Sequence, residues 1–232
     1  MMRSVSISLL SSVLLACGEG GNGPQKERVR GLSPNEQAAM DSAHLDGGVS
    51  AVLRSKIRET FYLHTPEADE INRRSGFPAQ KHMFRGVAFK VHPDSTADRI
   101  AAIADRIRPE GYKAYRSRMG FGGELDEVCI LQTQQVDMAI LRYEQTDGIN
   151  YDITTDSLIS VLSEWNKELD LSIAGASGDW VEATIRKEPK DWQEFARRVY
   201  AFCPDVVDQG TGSVAALADE LERSRTLYLW WD

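Results

Sequence analysis

The sequence predicts an α+β fold: a C-terminal half whose elements run βαββαβ with one extra helix, extended or covered by an N-terminal βαβ unit. Three observations predict it. Val128-Cys129-Ile130-Leu131 is a continuous apolar run, as expected of a strand buried on both faces. In residues 179–187, Val181, Ala183 and Ile185 alternate with Trp180, Glu182, Thr184 and Arg186, the period of a half-buried strand. Leu158, Val161, Leu162, Trp165 and Leu169 recur at helical spacing, as do Trp192, Phe195, Ala196 and Val199.

The elements follow in order. Ser33-Pro34 starts a short helix to about His44, with Pro at its first position. Gly47-Gly48 reads as a break, and a second helix runs from Val49 to Phe61. Pro66, Gly76 and Pro78 mark irregular chain. Gly86 to His92 reads as a strand, and Ser95-Thr96-Ala97-Asp98 as a capping-box-like helix start. Ala97, Ile100, Ala101, Ala104 and Ile107 form one face of that helix. Pro109-Glu110-Gly111 ends it before a strand from Tyr112 to Arg116, and Met119 to Gly123 reads as a linker.

After the strand at Val128 comes a short amphipathic stretch, Met138 to Tyr143. A helix over 156–169 leads to a strand holding Leu171 and Ile173. Ser177-Gly178 turns the chain into the 179–187 strand. The Trp192 helix and a helix capped by Ser213 precede a last strand, Leu227 to Trp231, with Leu227, Leu229 and Trp231 inward. The order is that of a ferredoxin-like split βαβ fold. It places Val128-Leu131 centrally, beside the 179–187 strand.

The first residues carry a different signal. Arg3 precedes an apolar, small-residue run that ends in Leu14-Leu15-Ala16-Cys17. The run is shorter than the about 18–20 apolar residues of a spanning helix, and has the flanks of a cleavable signal. Its end resembles the lipobox of bacterial lipoproteins. That resemblance implies cleavage after Ala16, lipid on Cys17 and, with Gly18 next, an outer-membrane location facing the periplasm or the surface. The expected organisation is a signal peptide over 1–16, a Gly-rich flexible tether over 17–31, an N-terminal region over 32–118 and an α+β domain over 119–232.

Without residues 1–16 the chain carries 26 Lys+Arg against 35 Asp+Glu, a formal charge of −9. That disfavours nucleic acid as a partner. Cys129 and Cys203 remain besides Cys17, too few for a disulfide framework, and two buried thiols are expected. His44, His64, His82 and His92 are scattered, with none at i, i+4 from another, so no metal site is predicted. No cofactor motif and no catalytic set appears: there is no G-x-S-x-G, P-loop, G-x-G-x-x-G or H-E-x-x-H.

Two groups are candidates for binding. Asp205, Asp208 and Gln209 share a loop, and Asp232 ends the chain. If loop and terminus meet, their carboxylates converge on a hard cation or form an acid for a hydrolase. Turn chemistry is the stronger reading of Asp205 and Asp208, which are spaced to bond backbone amides. The second group is a face formed by Trp180, Arg186, Tyr228 and Trp230, suited to stacking against a ligand or a partner unless the N-terminal half covers it.

Three strings are distinctive: Gly178 to Glu182, Phe202-Cys203-Pro204-Asp205 with the residues to Gly210, and Tyr228 to Asp232. Together they resemble the bacterial domain-of-unknown-function family numbered 4253, over about Glu127 to Asp232. The resemblance implies a shared fold and no activity, with an association to toxin-immunity proteins and other small interaction domains. The functional expectation is a membrane-tethered envelope lipoprotein with a non-catalytic binding or protective domain for a protein or small-molecule ligand. The alternative is a carboxylate- or metal-based hydrolase.

Overall fold

The structure is a computed structural model, and it describes residues 30–232 apart from 79, 84 and 135. The signal-peptide region, Cys17 and the tether up to residue 29 lie outside the described residues. Among the described residues no helix is long and apolar enough to cross a membrane.

The N-terminal elements are α1 (Pro34–Ser42), α2 (Gly47–Lys56), β1 (Tyr62–Leu63) and α3 (Glu67–Arg74). Ser33 and Glu36 close a capping box at α1. Gly47-Gly48 is not a break but the first turn of α2, because the Asp46 carboxylate accepts from Gly48 and Val49 and starts the helix there. That helix stops at Lys56, so Ile57 and Phe61 enter the core from extended chain. Helix α3 occupies a stretch that reads as irregular in the sequence.

Next come β2 (Val87–Val91), α4 (Thr96–Ile107), β3 (Tyr112–Arg118) and β4 (Asp126–Gln132). Ser95 makes no side-chain cap bond at α4. The helix is tethered instead by Thr96 Oγ1, which donates to the buried carboxylate of Asp126 at 2.7 Å. The chain continues through α5 (Ala139–Glu144), α6 (Thr155–Leu169), β5 (Leu171–Ala176), β6 (Trp180–Ile185), α7 (Trp192–Phe202), a π-helical turn (Val206–Thr211), α8 (Val214–Ser224) and β7 (Thr226–Trp230).

Among the described residues the strands form one mixed sheet of seven strands, in the order β1-β2-β4-β3-β5-β6-β7. The α+β class holds, but the strand order differs from the ferredoxin-like expectation. β4 lies between β2 and β3, antiparallel to both, rather than beside β6. The reason is local: the segment from Met119 to Leu125 is the turn of a β3–β4 hairpin, and closing a short loop costs less than a distant pairing. β5, β6 and β7 form an antiparallel meander. It joins the rest through a single parallel bridge, Arg116 to Gly175.

Apolar side chains fill both faces. Val128 and Ile130 point to a cluster with α2, α4 and Phe61, and Cys129 and Leu131 to a larger one with α5 to α8. This is the doubly buried strand the apolar run implies. Leu227, Leu229 and Trp231 are inward, as expected. α4 is rotated relative to the sequence reading: Ile103 and Ile107 are fully buried, while Ala97, Ile100, Ala101 and Ala104 line an open groove.

Beyond the bridge, β3 and β5 part, and Asp137 fills the gap. Its Oδ2 accepts the backbone N–H of Ile173 at 3.0 Å, a donor with no strand partner on that side, and is also paired with Lys113 Nζ. Lys113 reaches on to Ser172 Oγ at 2.8 Å. A buried amide left without an acceptor is costly, so the side chain completes the ladder.

Candidate functional site

The three distinctive C-terminal strings meet at one place. The backbone N–H of Asp232 donates to Asp205 Oδ2 at 2.9 Å, and that of Trp231 to the carbonyl of Asp179 at 3.1 Å. The Cys203 thiol donates to the carbonyl of Trp230 at 2.9 Å, on the open edge of β7. Phe202 and Trp231 stack edge to face, with centroids 5.8 Å apart. Trp231 lies on Gly148, where a Cβ would come within 2.8 Å of the indole. These contacts pin the terminus and cover an edge strand.

Asp205 is therefore occupied. Its Oδ1 accepts from Tyr151 Oη at 2.6 Å and from Gln209 Nε2 at 3.0 Å. These bonds, opposing a burial penalty, hold its carboxyl below the usual range. Asp208 is exposed and accepts from Tyr200 Oη at 3.0 Å, tying the π-helical turn to α7. Loop and terminus do meet, but through a backbone amide. Among the described residues, Asp205, Asp208 and Asp232 do not bring ligand oxygens together as a metal-holding group.

The aromatic face is largely folded in. Trp180 is only 8% exposed, because its ring lies over Gly175, where a Cβ would come within 2.8 Å of it. Tyr228 sits between Trp180 and Trp230, with centroids at 6.0 and 5.3 Å, and its hydroxyl touches Met119 Sδ in the β3–β4 turn. Trp230 wraps the sheet edge toward Gly210. The β3–β4 turn thus covers part of this face.

What stays open is the groove of about 860 Å³ beside α4. Its wall is the face of Ala97, Ile100, Ala101 and Ala104, with Arg108 at one end. Its floor is the polar face of β3, β5 and β6. There Arg116 pairs with Glu182 and lies 3.6 Å from Asp126, while Arg186 donates to Ser172 Oγ at 2.9 Å. Of the sequence candidates, only Arg186 belongs to it.

A second, buried constellation joins β1, β3, β4 and α5. His64 Nε2 lies 2.9 Å from Glu144 Oε1, and Nδ1 lies 2.9 Å from Glu127 Oε1, off the alignment of a good hydrogen bond. Tyr62 and Ser117 hold Glu127 through bonds of 2.5 and 2.8 Å, and Tyr115 donates to Glu144 Oε1. Burial alone would lower the His64 pKa, but Glu144 and Glu127 outweigh it and hold the imidazole well above its ordinary range. Burial would raise Glu127, and its bonds to His64, Tyr62 and Ser117 carry it below the usual range instead.

The Cys129 thiol lies against this cluster, and burial pushes its pKa up. A small cavity of about 240 Å³ opens beside His64 and Tyr143, rimmed by Arg73, Arg85 and a His82–Asp69 pair at 2.6 Å. Sequence reasoning missed this group because its members lie 80 positions apart. One signal existed: Glu144 follows Ile140 and Leu141 at helical spacing, on the side that becomes buried.

No curated protein and no solved structure matches the chain. Residues 128–232 match the model of the family described as a domain of unknown function, DUF4253.

Proposed function

We propose that this chain is a lipid-anchored protein of the cell envelope whose folded part is a non-catalytic binding module, with the groove beside α4 as its ligand surface. The anchor is supported by Leu14-Leu15-Ala16-Cys17 and the Gly-rich run that follows. The observation that carries the binding reading is α4 itself, which lines the groove with Ala97, Ile100, Ala101 and Ala104, of which Ala97 and Ala101 are exposed while Ile100 also packs against the core. Binding pockets are clefts of roughly 300–1,000 Å³ with apolar walls and a few placed polar groups. Here an apolar wall faces Arg186, with Arg108 at the end, while Arg116 is already paired with Glu182. That combination fits a small amphipathic ligand with an anionic head, since a guanidinium offers several donors in a fork. A protective role of the immunity type is the same surface with a partner's acidic side chain as the head group.

Two experiments test it. A thermal-stability screen of the full chain against small anionic amphipathic molecules should find a stabilising ligand. Ala101→Trp, which fills the groove from an exposed position, and Arg186→Ala should each abolish the shift. A panel without effect, or a shift unchanged in Ala101→Trp, removes the groove from consideration. Separately, Cys17→Ser should release the protein from membranes. An unmodified Cys17 thiol in membrane-extracted protein would overturn the anchor.

A further inference from the structure

We propose that His64, Cys129 and Glu144 form a site for one divalent transition-metal ion of the zinc class, independent of the groove. One ring nitrogen, the thiol sulfur and a carboxylate oxygen lie within 4.8 Å of one another, all on buried residues. Three strands and a helix bring them together: His64 follows β1, Cys129 faces inward from β4 opposite Tyr115 on β3, and Glu144 ends α5.

Two further observations point to an ion. Glu144 is fully buried, yet among the described residues its Oε2 has no hydrogen-bond partner. An unpartnered carboxylate oxygen in the interior is costly, and a cation beside it removes the cost. His64 also has a carboxylate beside the ring nitrogen on its far side: Glu127 Oε1 lies 2.9 Å from Nδ1, short of good hydrogen-bond alignment, and is itself fixed by Tyr62 and Ser117. A carboxylate behind the ring orients the other nitrogen toward the metal and raises its basicity. That other nitrogen, Nε2, faces Glu144.

The donor set is mixed nitrogen, sulfur and oxygen, which suits zinc and its neighbours rather than calcium or magnesium. Metal–ligand bonds of about 2.0–2.3 Å bring tetrahedral ligand atoms to roughly 3.5 Å apart, so closing the site needs only side-chain adjustment. The ion would take the place of the proton shared by His64 Nε2 and Glu144 and of the Cys129 thiol proton. Two protons leave as one divalent ion enters, and the buried charge is unchanged. The cavity beside His64 supplies a path and room for a water as fourth ligand.

The test uses the full chain, stripped with a chelator and titrated with Co²⁺. One equivalent should bind, with visible bands of a tetrahedral ion and a near-ultraviolet thiolate-to-cobalt charge-transfer band, and Zn²⁺ should displace it. In Cys129→Ser the charge-transfer band should vanish, with far-ultraviolet circular dichroism unchanged. Glu127→Gln should weaken binding by about 10- to 100-fold. If Cys129→Ser fails to fold, X-ray absorption at the zinc edge of the parent decides: one sulfur with nitrogen and oxygen ligands supports the site. A shell of nitrogen and oxygen alone, sub-stoichiometric binding, or a cobalt spectrum unaltered in a folded Cys129→Ser overturns it.

Discussion

The backbone N–H of Asp232 donates to Asp205 Oδ2 at 2.9 Å, so the last residue of the chain is held by a carboxylate 27 positions upstream. The same carboxylate receives Tyr151 and Gln209. Removing it in Asp205→Ala leaves those donors without their acceptor, and a loss of about 1–3 kcal/mol is expected in urea unfolding. Asp208, which is exposed, should matter far less, with Asp208→Asn within about 0.5 kcal/mol of the parent. Equal losses for the two would contradict the assignment.

Truncation before Tyr228 takes away Leu229 and Trp231, both buried, together with every bond to the terminus. Each large apolar side chain is worth about 1.5–3 kcal/mol, against a total stability of about 5–15 kcal/mol. The shortened chain should show no cooperative thermal transition. One that melts near the parent temperature would show β7 to be peripheral.

Glu36 links three parts of the N-terminal region. It accepts from Arg30 Nη2 at 2.5 Å, from the N–H of Ser33 at 2.9 Å and from the N–H of Phe61 at 3.1 Å. The Arg30 bond leads in lowering its pKa from 4.5 to about 2. A depressed carboxyl stabilises the fold above its unfolded value and loses that contribution as pH falls from about 4.5 towards 2. Glu36→Gln should therefore be less stable than the parent at neutral pH, through the lost charge in the Arg30 bond rather than the cap, since Gln at N3 still completes a capping box. The gap should close through that acid window. Chemical denaturation at a series of pH values reads it; a gap constant down to pH 2 would refute the linkage.

Asp137→Ala empties the space between β3 and β5. The Ile173 amide loses its acceptor, and its exchange with deuterium should quicken by about tenfold or more, since 1.4 kcal/mol is a factor of ten and the bond contributes about that much. Amides between β6 and β7 should be unaffected. Residue-resolved hydrogen exchange separates the two sets.

Local patterning was legible in the sequence, and assembly was not. The apolar run at Val128 and the alternation around Val181 identified strands, because burial writes a period into a strand. The run says nothing of which neighbours bury it, and a hairpin turn at Met119 to Leu125 resembles a linker in composition. On α4 the alanines mimic a core face, and of the face read from the sequence Ile107 is fully buried and Ile100 packs partly, while Ile103, outside that face, is the other fully buried residue. The Asp205 loop has the composition of a turn, but its partners were not legible: Asp205 accepts from Tyr151, 54 positions away, and from the Asp232 amide, 27 positions away, rather than from backbone amides of its own turn. Nor was the His64 group legible, because its parts come from four elements.

The strand order has a practical corollary for anyone who would study the family's portion alone. The match begins at residue 128, within β4, whose two hydrogen-bonding neighbours are β2 and β3. A fragment cut there carries Val128 to Leu131 with both edges bare and its α4-side apolar residues wet. Such a strand is a template for another copy of itself. The unit of homology and the unit of solubility therefore do not coincide in this chain, and a fragment intended for expression should begin upstream of β2.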